Sequence, residues 1–123
     1  MSDRKMLELA AKAAGVELIQ MPPGVYRNAT GAKPENNAFG LPTWNPITDD
    51  GDALRLMVRL RLHARQFPIV DDGFDVPLGM VEVWRVDDDD PLHVEFLGSG
   101  DDRLVATRRA IVRAAAEIGR QMP

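Results

Sequence analysis

Residues 49–67, DDGDALRLMVRLRLHARQF, change hydrophobic period midway, and this change constrains the fold more than any other feature of the chain. Ala53, Leu54, Met57 and Val58 recur with the spacing of a helical face, whereas residues 58–65 alternate apolar and polar without interruption. The pattern predicts a helix from about Asp50 to Arg59 that bends almost directly into a strand from about Leu60 to Phe67. Leu60, Leu62 and Ala64 then face the core, and Arg61, His63 and Arg65 project from the opposite side. A strand with one polar face belongs at a sheet edge or has an uncovered side. Ahead of the helix, Pro46 ends the preceding segment and Thr48 or Asp49 can act as the cap. Asp49, Asp50 and Asp52 place negative charge at the positive end of the helix dipole. Metal binding by these aspartates is the weaker reading, because the calcium-loop spacing with its distant glutamate is absent.

The flanking segments complete an order of elements. Ser2 can cap a helix from about Asp3 to Ala14, with Met6, Leu7, Ala10 and Ala14 on one face and Gly15 where a left-handed residue is wanted. Between residues 15 and 47, five prolines forbid a long helix. Short extended pieces are expected at Val16–Ile19 and Val25–Arg27, and residues 28–40 as a surface excursion, within a long irregular segment at about 20–47. LGMVEVWRV, residues 78–86, reads as a strand apolar on both faces: Val81 and Val83 on one, Met80 and Trp84 on the other. That suits the middle of a sheet. PLHVEFL, residues 91–97, reads as the next strand, and Asp87–Asp90 as the solvated hairpin loop between them rather than a cation site. A final helix from about Asp101 to Gln121 carries Leu104, Ile111, Ala115 and Ile118 along one stripe, with Val105 and Val112 beside it. Arg109, Arg113 and Arg120 fall on its opposite side. The expectation is one α+β domain over residues 1–123, ordered helix, loop with a short strand, helix, three strands, helix. The three strands form an antiparallel meander sheet.

A chain of 123 residues supports a single modest core. It has no cysteine, which excludes disulfides, thiolate metal sites and cysteine nucleophiles. It also lacks an apolar run of signal-peptide or membrane-spanning length, so a soluble cytoplasmic protein that does not enter a membrane is expected. The formal charge of −4 hides a division: eleven acids and one arginine between Asp71 and Asp102, four arginines and no acid between Ala53 and Arg65. General attraction to nucleic acid is disfavoured, while a local basic face is retained.

Three blocks, MLELAAKAAGVE, WNPITDDGDALRLMVRLRL and ATRRAIVRAAAEIGRQ, resemble the phage ABA sandwich domain family, small proteins of tailed phages and prophages. The likeness runs in order from Met6 to about Gln121 and departs at residues 28–42, which are longer and richer in Asn, Gly and Pro. It implies helices packed on both faces of the sheet, an α/β/α sandwich that agrees with a strand apolar on both faces, together with a phage or prophage origin and a bacterial cytoplasm. It implies no catalytic residues.

The only serines are Ser2 and Ser99. LGSGDD around Ser99 lacks the lysine and glycine spacing of a phosphate loop, so Ser99 or Asp101 reads as a helix cap. Zinc would need more ligands than His63 and His93 supply, even with Glu82 or Glu95, and no metal or other cofactor is expected. The strongest constellation depends on register. If Asp87–Asp90 form a four-residue loop, Trp84 faces His93 and Glu82 faces Glu95, with Val81, Val83, Val94 and Phe96 as a clean core layer. The other face then gathers Arg61, His63, Arg65, Glu82, Trp84, His93 and Glu95. That is a candidate binding face, with a charge-matched sheet surface as the plain alternative. Arg108, Arg109, Arg113 and Arg120 are secondary candidates. Arg108 lies inside the apolar arc and must reach a carboxylate, with Asp52 or Glu82 nearest, or backbone carbonyls.

The expectation for function is a non-enzymatic phage accessory protein that binds a host or viral partner, protein or small molecule. The alternatives are a nucleic-acid-binding module using an arginine face, and a small enzyme using His63 or His93 with Glu82 or Glu95.

Overall fold

The computed structural model describes residues 2–20, 26–28, 44–70, 78–98 and 100–123. They form an α+β fold in which α1 (Asp3–Ala14), β1 (Leu18–Gln20), β2 (Tyr26–Asn28) and α2 (Asp50–Arg59) precede β3 (Leu62–Val70), β4 (Leu78–Arg85), β5 (His93–Leu97) and α3 (Arg103–Gln121). The three long strands make an antiparallel sheet of order β3-β4-β5, with β4 central, and β1 and β2 pair separately. Residues 29–43, which hold most of the expected surface excursion, lie outside the described set, as do residues 71–77 and Ser99.

Local chemistry sets the helix ends. The Ser2 side chain accepts from Lys5 N and opens α1, and Gly15 closes it at φ 69. Asp49 caps α2 by accepting from Asp52 N. In α3 the cap is Asp102, which accepts from Leu104 N and Val105 N, rather than Ser99 or Asp101. Asp101 is drawn aside by Gly98, whose N–H it accepts at 2.7 Å. Upstream of α2, Asn45 folds the chain into a tight turn. Its Oδ1 accepts from Ile47 N, while its own N–H donates to Asp52 Oδ2 at 2.9 Å. Asp52 is thereby only 1% exposed and keeps Arg55 as its cation at 3.1 Å. Trp44, Pro46 and Ile47 are buried beside it. The sequence WNPITDDGD is therefore a structural wedge.

The change of period falls where the pattern places it, with one refinement. The helix ends at Arg59, but Leu60 and Arg61 form the turn and β3 begins at Leu62. Arg61 takes φ 54, and it is the single non-glycine residue with positive φ among those described. Such a conformation costs an L-residue about 1–2 kcal/mol. Strand β3 also runs beyond Phe67 through Pro68 to Val70. The register slips between Phe67 and Val70, an irregularity of the kind that accommodates a proline, which cannot donate to the ladder.

The core is a layer of small residues closed by large ones. Ala110, Ala114, Ala115 and Ala116 of α3 and Ala10, Ala11 and Ala14 of α1 are buried, and they allow the two helices to meet backbone to side chain. At Gly119 a Cβ would stand 2.0 Å from the Leu9 carbonyl oxygen. Helix α3 lies over the sheet face that carries Leu62, Ala64, Val81, Val83 and Leu97, and α2 packs beside it. Leu104, expected in the buried stripe, is 64% exposed. It borders a furrow between α2 and α3 instead of the sheet.

Candidate functional site

The pairing of β4 with β5 decides which side chains meet, and it differs by one residue from the register expected. Val83 lies opposite His93, Glu82 opposite Val94 and Val81 opposite Glu95. The connection from Val86 to Leu92 is longer than a four-residue loop, and Leu92 N donates to Val83 O at 2.8 Å. Opposed residues share a face, so His93 and Glu95 lie on the Val81/Val83 side, under α3. The seven-residue constellation is therefore divided. His63, Arg65, Glu82 and Trp84 share the opposite face with Val94 and Phe96, Arg61 sits in the preceding turn, and His93 and Glu95 face the helices. His63 and His93 cannot join in one metal site. Among the described residues, no three His, Cys, Asp or Glu side chains come together as metal ligands.

The physical reason lies in α3. In the expected register Glu82 and Glu95 would oppose each other, an unfavourable pair without a cation. The observed register turns Glu95 toward Arg113, whose Nη1 lies 2.5 and 2.7 Å from the two carboxylate oxygens. Phe96 is left 70% exposed as a consequence, and Leu97, buried beside Val81 and Val83, completes the core layer in its place. One half-buried charge pair, with three hydrogen bonds to its carboxylate, outweighs the exposure of one phenyl ring.

Around Glu95 the structure builds a small polar network. His93 Nε2 lies 2.8 Å from Glu95 Oε1. A carboxylate can only accept, so Nε2 carries the hydrogen. Burial on its own would raise the Glu95 pKa. The hydrogen bonds from His93 and Arg113, and the charges of both, outweigh it and hold the carboxyl below its ordinary 4.5. His93 and Arg113 form one wall of a cleft of about 350 Å³ whose other sides are Met6, Ala116 and Glu117. Glu117 is itself tied to Arg120 and Gln121, which lower its pKa by hydrogen bonding. The cleft thus lies where α1, α3 and β5 converge. Met6 was visible in the sequence as a core position and Ala116 was not singled out, and nothing there brings either to His93 without the register.

The arginine row of α3 is not a free cationic face. Arg109 pairs with Asp3, Arg113 with Glu95 and Arg120 with Glu117. Arg108 is inside the apolar arc as expected, and its Nε donates to Ile47 O at 2.8 Å while Nη1 reaches Asp50 Oδ1 at 2.6 Å. The carboxylate is Asp50, because Asp52 is already engaged by Asn45 and Arg55.

On the opposite sheet face, His63 stacks on Trp84 with ring centroids 6.1 Å apart, and Arg65 lies over the Phe67 ring at 5.3 Å. Arg65 stands across from Glu82 in the ladder, yet among the described residues neither forms an ion pair. The Trp84 indole Nε1 is buried without a hydrogen-bond partner. Among the described residues, no helix is long and apolar enough to cross a membrane. Compared with models of known families, with curated proteins and with solved structures, the chain matches none.

Proposed function

We propose that this protein is a small-molecule-binding accessory protein, of the phage kind its sequence resembles, and that its binding site is the cleft between α1, α3 and β5. The observation that carries the reading is the fixing of His93 and Arg113 at the cleft wall by one shared carboxylate, Glu95. A cleft of about 350 Å³ is within the range of ligand pockets, which combine an apolar lining with a few oriented polar groups. Met6 and Ala116 supply the first; His93 and Arg113 supply the second. Because Glu95 neutralises Arg113, the site favours an uncharged ligand. Such a ligand would donate to the imidazole and accept from the guanidinium nitrogens that Glu95 does not engage. Titration of ¹⁵N-labelled protein with small amides and neutral heterocycles should shift the resonances of His93, Arg113 and Ala116. His93→Phe should weaken that binding by about tenfold, the effect of one lost oriented hydrogen bond. Shifts confined to other surfaces would defeat the proposal.

A second reading is favoured by the 2.8 Å contact between His93 and Glu95. An imidazole oriented by a carboxylate is the arrangement of a general base. Glu95 would act as the orienting group and His93 Nδ1 as the group that takes the proton. The nucleic-acid reading is left with Arg61 and Arg65, because each arginine of the α3 row already has an acid within reach.

A further inference from the structure

The outer side of α2 carries a feature that the cleft does not use. Leu54 and Val58, one turn apart, are 56% and 68% exposed, and Leu104 of α3 stands exposed near them. Leu54, Met57, Leu104 and Ile111 border a furrow of about 130 Å³ between the two helices. The furrow has room for one inserted aliphatic side chain. Aliphatic groups exposed side by side on one face mark an association surface more often than an isolated one does.

The charges along the same helix say what fits. Its N-terminal end is acidic: Asp49 and Asp50 are exposed, Asp49 as the helix cap 3.9 Å from Arg55 and Asp50 paired on one side with Arg108. Its C-terminal end is basic, with Arg59 in the last turn and Arg61 just beyond. Neither of these arginine side chains has a hydrogen bond or ion pair among the described residues. Arg61 also holds φ 54, a conformation glycine adopts without strain, so a charge is kept at that end at a conformational cost.

We propose that α2 is a self-association surface on which a second copy of this chain docks through its own α2, antiparallel, about a two-fold axis near Leu56. Leu54 of one copy then meets Val58 of the other, twice, and each acidic end meets the partner's basic end. A two-fold interface must be self-complementary, and a helix with opposite charge at its two ends meets that condition only when antiparallel. The helix dipoles favour the same arrangement.

Sedimentation equilibrium of the full chain tests this. The mass should rise from 13.6 kDa toward twice that value across about 10 µM to 1 mM, the range of a small interface. Val58→Asp should weaken association at least about tenfold while leaving the circular dichroism and melting temperature unchanged, because Val58 is exposed. The chain has no cysteine, so engineered thiols report the geometry directly. Mixed Leu54→Cys and Val58→Cys proteins should cross-link to each other faster than either does to itself. A monomer at all concentrations, undiminished association of Val58→Asp, or preferential 54–54 and 58–58 cross-links would each overturn the proposal.

Discussion

Arg108 and Arg109 are neighbours in sequence with opposite structural weight. Arg108 spans from α3 to the loop before α2 and satisfies both Ile47 O and Asp50, while Arg109 makes an ion pair with Asp3. Removing the first leaves the carbonyl of buried Ile47 without its donor and releases the exposed Asp50 carboxylate to water, at a cost of about 1–3 kcal/mol. Removing the second costs about 0–1 kcal/mol, as exposed ion pairs do. Arg108→Ala should therefore lower the urea midpoint clearly more than Arg109→Ala; equal losses would contradict the role given to Arg108. That role was legible in the sequence, because a charge inside an apolar arc must find an acceptor. The partner was not, because Asp50 and Asp52 look alike until Asn45 and Arg55 are seen to occupy Asp52. Glu95 carries a second prediction. Its carboxyl pKa is lowered in the fold, so its stabilising contribution is present above the ordinary value of 4.5 and is lost as pH falls through the folded value. The stability difference between the wild type and Glu95→Gln should be greatest at neutral pH and shrink as pH drops below 4.5. A difference that grew on acidification would contradict the lowered pKa.

At the scale of elements, α1 and α2 have the bounds that caps and periodicity predict, since those signals are local. The register of β5 was not readable in the same way. Placing Val94 and Phe96 in the core satisfies hydrophobic alternation, but the choice is made by a non-local partner, Arg113, eighteen positions after Glu95 in sequence. A strand of five residues with two titratable side chains follows its cation as much as its apolar groups. Contact between α1 and α3 depends on a different signal, the small residues. A glycine inside a helix is ordinarily improved by alanine, by about 1 kcal/mol. At Gly119 the added methyl would collide with the Leu9 carbonyl. Gly119→Ala should instead destabilise by about 1–3 kcal/mol or more, measured by chemical unfolding. A gain in stability would mean that the helices are not so closely apposed.

At the scale of the whole molecule, the order of elements and the α+β class follow from the alternation of period along the chain. The expectation of helices on both sheet faces came from the family resemblance, with which a β4 apolar on both faces agrees. The Val81/Val83 face is met by α3, and hydrogen bonds from Arg113 to Glu95, from Arg103 to Gln66 and from Gln66 to Thr107 tie helix to sheet there, while Arg103 also donates to the Phe67 carbonyl. The Trp84 face has the His63 stack, and no helix is tied to it by a described side-chain hydrogen bond. The proposed binding cleft rests on the two faces being distinct, with His93 on the Val81/Val83 side under α3 and Trp84 on the other. Nuclear Overhauser contacts from the His93 ring test it most directly. The ring should show cross-peaks to the Met6 and Ala116 methyl groups, and the Trp84 indole should show them to His63. A contact between the His93 ring and the Trp84 indole would restore the other register and remove the cleft's polar wall.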